Sequence, residues 1–316
     1  MTSAATNGSA HDALFYESDE ELLAAAVPFL RAGLDAGETA VLVCSEANTE
    51  LLTNALDDHP SLGSVPRPEV YHRPAKAIAT YQHLVQKHVE AGARGVRLVG
   101  ELDFGSSPTE WSEWIRFEAV VNHALAPYAL WTCCMYHTRE LPDEVLAAAE
   151  QTHPNLLSAK SREPSSRYVE PAEFLRRSAP VGPEPTEATE PMFVVDELAD
   201  LATLRRRIRL AALAECALPF DAVQDFVFAA NEVATNAIVH GGPPVLVRFW
   251  CTPSQLLCTI TDQGPGFDDP FAGYIPASSG DLGQGGMGLW LSRHFCDRVD
   301  IFHNDDGFNV RLSVGR

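Results

Sequence analysis

The sequence predicts an α/β protein built from two domains. Its 316 residues exceed the roughly 100–200 residues of an ordinary domain, and a hydrophobic fraction of 46% is enough for two cores. In the first half, apolar segments typical of strands alternate with helical patterns, which favours a parallel sheet. A stretch rich in proline and acidic residues, APVGPEPTEATEP at 179–191, separates the halves. We therefore assign residues 1–178 to an N-terminal domain, 179–191 to an extended, solvated linker and 192–316 to a C-terminal domain.

The elements of the N-terminal domain are predicted from short apolar runs and from helical periodicity. The first ten residues are small and polar, and we expect them to be disordered. The predicted strands are 39–45, 96–102 and 129–136, and the predicted helices are 19–36, 50–57, 111–125 and 141–151. Their alternation is the basis for the parallel-sheet prediction.

The C-terminal domain is predicted to begin with two helices. The first, 200–217, places its apolar residues on one face, and these are Leu201, Leu204, Ile208 and Ala211. The arginines at 205, 206, 207 and 209 take the remaining surface, which is more typical of a solvated helix face than of a partner-docking surface. Asp221 is expected to cap the second helix, which ends at Gly241-Gly242. The remaining predictions are strands 245–250 and 256–262, a helix 289–297 and a hairpin of 299–302 with 308–314.

Charge and cysteine usage restrict the kind of partner and compartment. The net charge of −20 argues against non-specific binding to nucleic acid, which requires a basic surface. The cysteines number seven, none spaced as C-x-x-C, and several lie in apolar runs, as expected of reduced, buried thiols. Neither a signal peptide nor a long apolar run is evident. We therefore expect a cytoplasmic protein that binds neither a membrane nor nucleic acid directly.

Two motifs of the C-terminal domain carry acidic residues. Glu232 and Asn236 lie four residues apart on one face of the second helix, where a proton acceptor and a ligand for a hard cation would stand side by side. Asp262 ends a strand on its core-facing side and begins the sequence DQGPGF, in which Gly264 and Gly266 let the backbone approach a ligand. A carboxylate there can accept from the amino group of adenine.

A third motif, GGMGLW at 285–290, opens a helix. Gly286, Gly288 and Leu289 would bring free backbone N–H groups and the positive end of a helix dipole to a phosphate. Each motif alone is common, and a solvated helix face, a strand-to-turn acid and a flexible loop are the ordinary alternatives. Their fixed order and spacing suit one α/β sandwich with a nucleotide between helices and sheet.

The sequences NEVATNAIVHG, TDQGPGF and GQGGMGLWLSRHFCDRV resemble the N, G1 and G2 boxes of the GHKL ATPase superfamily. Within it, they are more similar to the small anti-sigma serine kinases than to sensor histidine kinases, because no helix pair with a phospho-acceptor histidine is found. The resemblance implies a Bergerat α/β sandwich that binds ATP with Mg²⁺. Glu232 would be the general base, Asn236 the Mg²⁺ ligand and Asp262 the adenine-recognising residue. The two G1 glycines would shape the adenine wall, and Gly286, Gly288 and Leu289 the phosphate loop and lid.

The resemblance also implies a function and partners. The protein would sequester a sigma factor and phosphorylate an anti-anti-sigma protein of the STAS type on serine, as a protein serine/threonine kinase. The sequence leaves open whether the protein forms a homodimer. Two alternatives are a non-catalytic, ATP-binding switch and a soluble histidine kinase. The family often has G-T-x-V-R-L on its last strand, whereas this chain has Phe308 where the threonine would stand, so no adenine contact is assigned there.

The N-terminal half resembles the MEDS sensory domain. HDALFY at 11–16 is similar to its start, and ALWTCCMYHTRELPDEVLAAAEQTHP is similar to its end, although His137 stands where the family has aspartate. The resemblance implies a RecA-like α/β fold that senses a small molecule. Glu101 and Asp103 at a strand end, with nearby aromatic residues (Trp111, Trp114 and Tyr136), suggest a ligand pocket, and aromatic core packing is the alternative.

A metal site in this half is disfavoured by the sequence. His11, Cys133, Cys134 and His137 are the residues from which one could be built. Adjacent residues of a strand face opposite sides, so the two cysteines cannot both be ligands of one ion. We therefore expect ordinary core and surface residues at these positions.

Overall fold

The computed structural model describes residues 8–178, 182–275 and 286–315, and the chain divides into two compact units after Arg177. The N-terminal unit contains a seven-stranded sheet of order β3-β2-β4-β5-β1-β6-β7. Every neighbouring pair is parallel except β6 with β7. The strands are β1 Ala10–Tyr16, β2 Thr39–Val43, β3 Leu62–Ser64, β4 Val96–Gly100, β5 Leu130–His137, β6 Asn155–Leu157 and β7 Arg162–Pro164.

The helices of this unit connect the strands. They are α1 Asp19–Asp35, α2 Glu46–Ala55, α3 Arg67–Val70, α4 Pro74–Glu90, α5 Pro108–Ala124, α6 Asp143–Thr152 and α7 Pro171–Arg177. Side chains next to the helix starts explain where two of them begin. The Ser18 hydroxyl accepts from the backbone of Glu21 at α1, and Ser107 with Glu110 forms a capping box at α5. The predicted parallel-sheet α/β class is confirmed.

The C-terminal unit contains a five-stranded antiparallel sheet of order β11-β12-β10-β9-β8 with helices packed against it. The elements are β8 Phe193–Val195, α8 Leu201–Glu215, α9 Phe220–His240, β9 Leu246–Cys251, β10 Gln255–Asp262, α10 Gly286–Phe295, β11 Arg298–Asn304 and β12 Gly307–Gly315. Helix α9 packs on β10 and β12, with α8 and α10 as its helical neighbours. The α/β sandwich is confirmed.

Several predicted features needed correction. The predictions missed α4, β1 and β8 as elements, together with the short strands at the edges of the N-terminal sheet. Asp221 does not cap α9, because the helix begins one residue earlier and Pro219 is its N-cap. Pro219 makes no side-chain cap hydrogen bond, and Asp221 lies in the first turn, where its negative charge interacts favourably with the helix dipole.

The interpretation of 179–191 as solvated linker is wrong for the described residues 182–191. Pro185–Ala188 form one turn of 3₁₀ helix, and two acids, Glu184 just before the turn and Glu187 within it, pair with residues of the sheet. Glu184 pairs with Arg298 of β11, and Glu187 pairs with Arg311 of β12.

Further hydrogen bonds fix the same turn to the C-terminal unit. Thr259 Oγ1 donates to Glu187 Oε1 at 2.8 Å, and Trp250 Nε1 donates to the carbonyl oxygen of Thr189 at 3.0 Å. Alternating prolines and acids are typical of solvated chain, and the sequence does not reveal that a half-buried and a buried arginine, Arg298 and Arg311, lie opposite them. The turn is therefore part of the C-terminal unit, and the boundary lies nearer residue 178.

None of the helices in the described ranges combines the length and apolar character that crossing a bilayer would require. All seven cysteines are free thiols, as expected from the sequence.

Candidate functional site

Asp262 is held at the end of β10 by two backbone groups. Its side chain is 5% exposed and lies on the core-facing side of the strand with Leu256, Cys258 and Ile260, as the sequence predicts. The N–H groups of Gly264 and Gly242 donate to Asp262 Oδ1 at 2.8 and 3.3 Å. Its other oxygen, Oδ2, accepts no hydrogen bond from the residues that the structure describes. One carboxylate oxygen is thus fixed while the second can accept from a ligand.

Glycines allow the end of α9 and the turn after β10 to approach each other. The N–H of Gln263 donates to the carbonyl oxygen of Gly242 at 2.8 Å. A Cβ added to Gly241 would lie 2.4 Å from Asp262 Cγ, and one added to Gly264 would lie 2.7 Å from Gly241 Cα. Contacts this short exclude any side chain at either position, so the motif glycines set the position of the carboxylate.

Gly266 has a different role, since its φ of +62° is in the left-handed region. A Cβ there would also lie 2.3 Å from the ring of Phe308. Phe308 stands opposite Asp262 in the pairing of β10 with β12, and it contacts the ring of Phe267 at a centroid distance of 5.2 Å. The position at which the sequence lacks the expected threonine is therefore an apolar wall beside the carboxylate.

Glu232 and Asn236 lie against the first turn of α10. A Cβ added to Gly288 would lie 3.0 Å from Glu232 Oε2 and 3.5 Å from Asn236 Nδ2. Gly286 begins this helix, and Leu289 is buried in the core beneath it. A carboxylate and an amide thus lie next to a helix start that offers free N–H groups, an arrangement suited to phosphate and a hard cation. Residues 276–285, which include Gly285 and most of the predicted lid, lie outside the described part of the chain.

Comparison with protein families agrees with this geometry. Residues 194–314 match the family described as histidine kinase-like ATPase domain. Residues 10–154 match the family described as MEDS, the methanogen/methylotroph, DcmR sensory domain. The chain joins a MEDS domain to a histidine kinase-like ATPase domain. A search of curated proteins found no match.

The ATPase domain implies ATP binding, and the residues present fit that ligand. The free oxygen of Asp262 can accept from an exocyclic amino group, and the glycine at 288 leaves room beside Glu232 that a side chain would fill. The domain supports ATP-dependent, kinase-type activity in general.

The ATPase domain also contains a positioning contact that the sequence did not reveal. Arg205 of α8 donates from Nη1 to Asn231 Oδ1 at 2.6 Å, and Asn231 Nδ2 donates to Glu232 Oε1 at 3.4 Å. One oxygen of the predicted base is thereby directed toward α8 and the other toward Gly288. The sequence analysis assigned Arg205 to a solvated helix face, whereas its side chain forms a hydrogen bond inside the ATPase domain.

In the MEDS domain, Glu101 already has a full set of partners. Its Oε2 accepts from the backbone and hydroxyl of Ser45, both at 2.8 Å, and from Asn48 Nδ2 at 3.0 Å. Its Oε1 accepts from Arg67 at 3.2 Å, and the same guanidinium lies 3.7 Å from Asp103. Glu101 thus fixes the start of α2, an alternative use of the carboxylate that the ligand-pocket hypothesis did not consider.

The aromatic residues of that hypothesis have separate contacts. The ring of Trp114 packs edge-on against Tyr71 and Phe117, and Trp111 Nε1 donates to the carbonyl oxygen of Gly105. Tyr136 donates from its hydroxyl to Glu118 Oε1 at 3.0 Å. Core packing, the alternative considered from sequence, accounts for Trp114.

The two neighbouring cysteines face opposite sides of β5, as predicted. Cys133 packs in an apolar core, whereas Cys134 Sγ lies 3.4 Å from His11 Nε2. Burial, followed by the charge of Glu118, raises the pKa of the Cys134 thiol well above its usual value. His137 lies elsewhere, with its ring edge-on to Tyr16.

Two residues that the sequence did not suggest lie next to His11 and Cys134. Glu118 of α5 and His153, which follows α6, have ligand atoms within 4.8 Å of those of His11 and Cys134. Burial and the neighbouring His11 lower the pKa of His153 to about 3, so its imidazole is neutral. Glu118 and His153 are distant in sequence from His11, and no local spacing could have joined them.

Proposed function

We propose that the protein is an ATP-dependent anti-sigma factor and serine kinase. It would bind Mg·ATP, sequester a sigma factor and phosphorylate a STAS anti-anti-sigma protein on serine, under the control of its MEDS domain. The general base would be Glu232, with Asn236 as the ligand of Mg²⁺ and Asp262 as the residue that recognises adenine.

The observation that carries the proposal is the position of Glu232 against the start of α10. A domain that only binds ATP has no need of a carboxylate beside the phosphate-binding helix start, whereas transfer to a hydroxyl needs a base there. Asn231 donates to this carboxylate, so it is held by the protein rather than left free in solvent.

An exposed apolar face on α8 supports a protein partner. Leu210 and Leu213 are 61% and 58% exposed on a helix that also carries exposed Arg206. Exposed leucines next to a basic side chain are typical of protein interfaces. We infer that this face contacts the sigma factor.

The test is phosphoryl transfer from radiolabelled ATP to a panel of STAS proteins encoded with this chain, with the acceptor residue mapped by mass spectrometry. The proposal expects label on one serine of one STAS protein, and a sigma factor captured by the unphosphorylated system. Tight ATP binding without any transfer would favour the non-catalytic switch. Label on a histidine of the chain itself would favour a histidine kinase.

The regulatory part has its own test. Because the turn at 182–191 packs on the ATPase domain, a fragment should begin at residue 178 rather than after the prolines. Fragment 178–316 is expected to bind ATP and the sigma factor but to lose any response to small molecules that the full chain shows across a metabolite panel. A fragment that still responds would place the sensor in the ATPase domain.

A further inference from the structure

Four potential metal ligands meet inside the MEDS domain from four separate elements. His11 comes from β1, Glu118 from α5, Cys134 from β5 and His153 from the residue after α6. All four are buried, and His153 is completely inaccessible to solvent. Convergence of two imidazoles, a thiol and a carboxylate at one buried point requires a physical reason, because uncompensated polar groups are costly to bury.

Four of the six distances between the ligand atoms can be compared with the edges of a tetrahedral site, and all six are within 4.8 Å. His11 Nε2 lies 2.9 Å from Glu118 Oε2 and 3.4 Å from Cys134 Sγ. Glu118 Oε2 lies 3.7 Å from Cys134 Sγ and 3.5 Å from His153 Nε2. A tetrahedron with zinc–ligand bonds of about 2.0–2.3 Å has edges of roughly 3.3–3.8 Å. Three of these four separations fall in that range, and the fourth is shorter by less than half an ångström.

Asn122 fixes the tautomer of His11. Its Nδ2 donates to the carbonyl oxygens of Thr152 at 2.7 Å and of Glu118 at 3.2 Å, so its Oδ1 must be the acceptor. That Oδ1 lies 3.2 Å from His11 Nδ1, which therefore carries the proton. The other ring nitrogen of His11, Nε2, is then the atom that faces Glu118 Oε2.

Hydrogen bonds also fix the orientation of the side chains of His153 and Glu118. His153 donates from Nδ1 to the carbonyl oxygen of Ala149 at 2.8 Å, and its buried Nε2 has no hydrogen-bond partner among the described residues. Tyr136 donates to Oε1 of Glu118 and leaves Oε2 to face the two histidines. A hydrogen bond between His11 Nε2 and Glu118 Oε2 would still leave the buried Nε2 of His153 without a partner among the described residues. A bound metal ion would accept a lone pair from each of the four side chains.

We propose that His11, Glu118, Cys134 and His153 bind one divalent transition-metal ion, for which Zn²⁺ is the best fit. Two nitrogens, one sulfur and one oxygen in a tetrahedron are ligands that zinc accepts, and four protein ligands make a closed site. The outer hydrogen bonds from Asn122, Tyr136 and the Ala149 carbonyl are of the kind that orient metal ligands. On binding, the Cys134 thiol gives up its proton to solvent and the sulfur–metal bond forms.

The ion would add one further link between β1, β5, α5 and the residue after α6, which are otherwise held together by sheet and side-chain hydrogen bonds and by packing. Metal binding to a site that exists only in the folded chain adds to folding stability. The thermal midpoint of the MEDS domain should therefore fall when the metal is removed and recover when Zn²⁺ is restored.

The test uses the full chain without a histidine tag, purified from zinc-supplemented medium and analysed for metal content. A neighbouring residue supplies a matched control, because Cys133 is also buried but faces the opposite side of β5. Wild type and Cys133→Ala are expected to hold about one Zn²⁺ per chain. Cys134→Ala should bind Zn²⁺ more than about 100-fold less tightly, since loss of even an outer-shell partner costs about 10–100-fold.

A second measurement does not depend on whether Cys134→Ala folds. Metal-free wild-type protein titrated with Co²⁺ should develop the visible bands of tetrahedral cobalt and a thiolate-to-cobalt charge-transfer band, and Cys133→Ala should do the same. Folded wild-type protein that takes up less than about a tenth of an equivalent of Zn²⁺ and Co²⁺, or a cobalt spectrum without the thiolate band, would overturn the proposal.

Discussion

Substitution of Asp262 by asparagine is expected to weaken ATP binding and to change the preferred purine. The amide oxygen of asparagine can take the place of Oδ1 and keep the bonds from Gly242 and Gly264. The amide nitrogen then stands where Oδ2 was, so a donor faces the donor amino group of adenine. The backbone of the site should not move, because the two side chains have the same shape.

The magnitude follows from the bond that is lost. A hydrogen bond to a charged acceptor contributes about 1.5–3 kcal/mol, and each 1.4 kcal/mol is about tenfold in affinity. The dissociation constant of ATP should therefore rise by roughly 10- to 150-fold. Inosine triphosphate has an acceptor where ATP has the amino donor, so its affinity for the variant should hold or improve.

Isothermal titration calorimetry with both nucleotides measures the effect directly. Asp306→Asn is the matched control, because it removes the same charge from an exposed position of the same domain. The control should leave both affinities unchanged. If Asp262→Asn bound ATP as well as wild type and kept its preference for ATP over inosine triphosphate, Asp262 could not be the residue that recognises the base.

The remaining predictions concern Gly288, which lies beside Glu232, and the 3₁₀ turn that contains Glu187. Gly288→Ala would place a Cβ 3.0 Å from Glu232 Oε2. The rate of phosphoryl transfer should therefore fall by a larger factor than the affinity for ATP. Equal losses of rate and affinity would show that the glycine matters only for binding. Arg311 pairs with Glu187 and with Asp300, so Glu187→Gln removes one of its two charged partners. The thermal midpoint of the ATPase domain should fall by the equivalent of about 1.5 kcal/mol, whereas the exposed control Glu190→Gln should leave it unchanged. A Glu187 variant as stable as wild type would mean that the turn is only loosely attached.

Local sequence patterns were sufficient to predict the position of a residue when the whole pattern lies within one helix or one strand. The helix with Glu232 and Asn236 and the strand ending at Asp262 lie where periodicity and alternation place them. The order of the motifs was enough to expect Glu232 and Asn236 beside a helix start, and a Cβ added to Gly288 would lie 3.0 Å from Glu232 Oε2 and 3.5 Å from Asn236 Nδ2.

Features that depend on contacts between segments distant in sequence could not be predicted from local patterns. Glu187 belongs to a stretch with the composition of a solvated linker, and its contacts with Arg311 and Thr259, both distant in sequence, make it part of the domain. Glu118 and His153 have no unusual local context, and the fold alone brings them to His11. Similarly, the bond from Arg205 to Asn231 crosses between two helices whose relative position the sequence does not specify.

The central claim, that the chain transfers phosphate with Glu232 as base, is tested most directly by single-turnover transfer from ATP to its STAS acceptor by wild type and Glu232→Gln. General-base catalysis is worth about 10²–10⁴-fold, so the variant should transfer phosphate slower by that factor while binding ATP within a few-fold of wild type. Transfer by Glu232→Gln at the wild-type rate, with label on the same serine, would contradict the account.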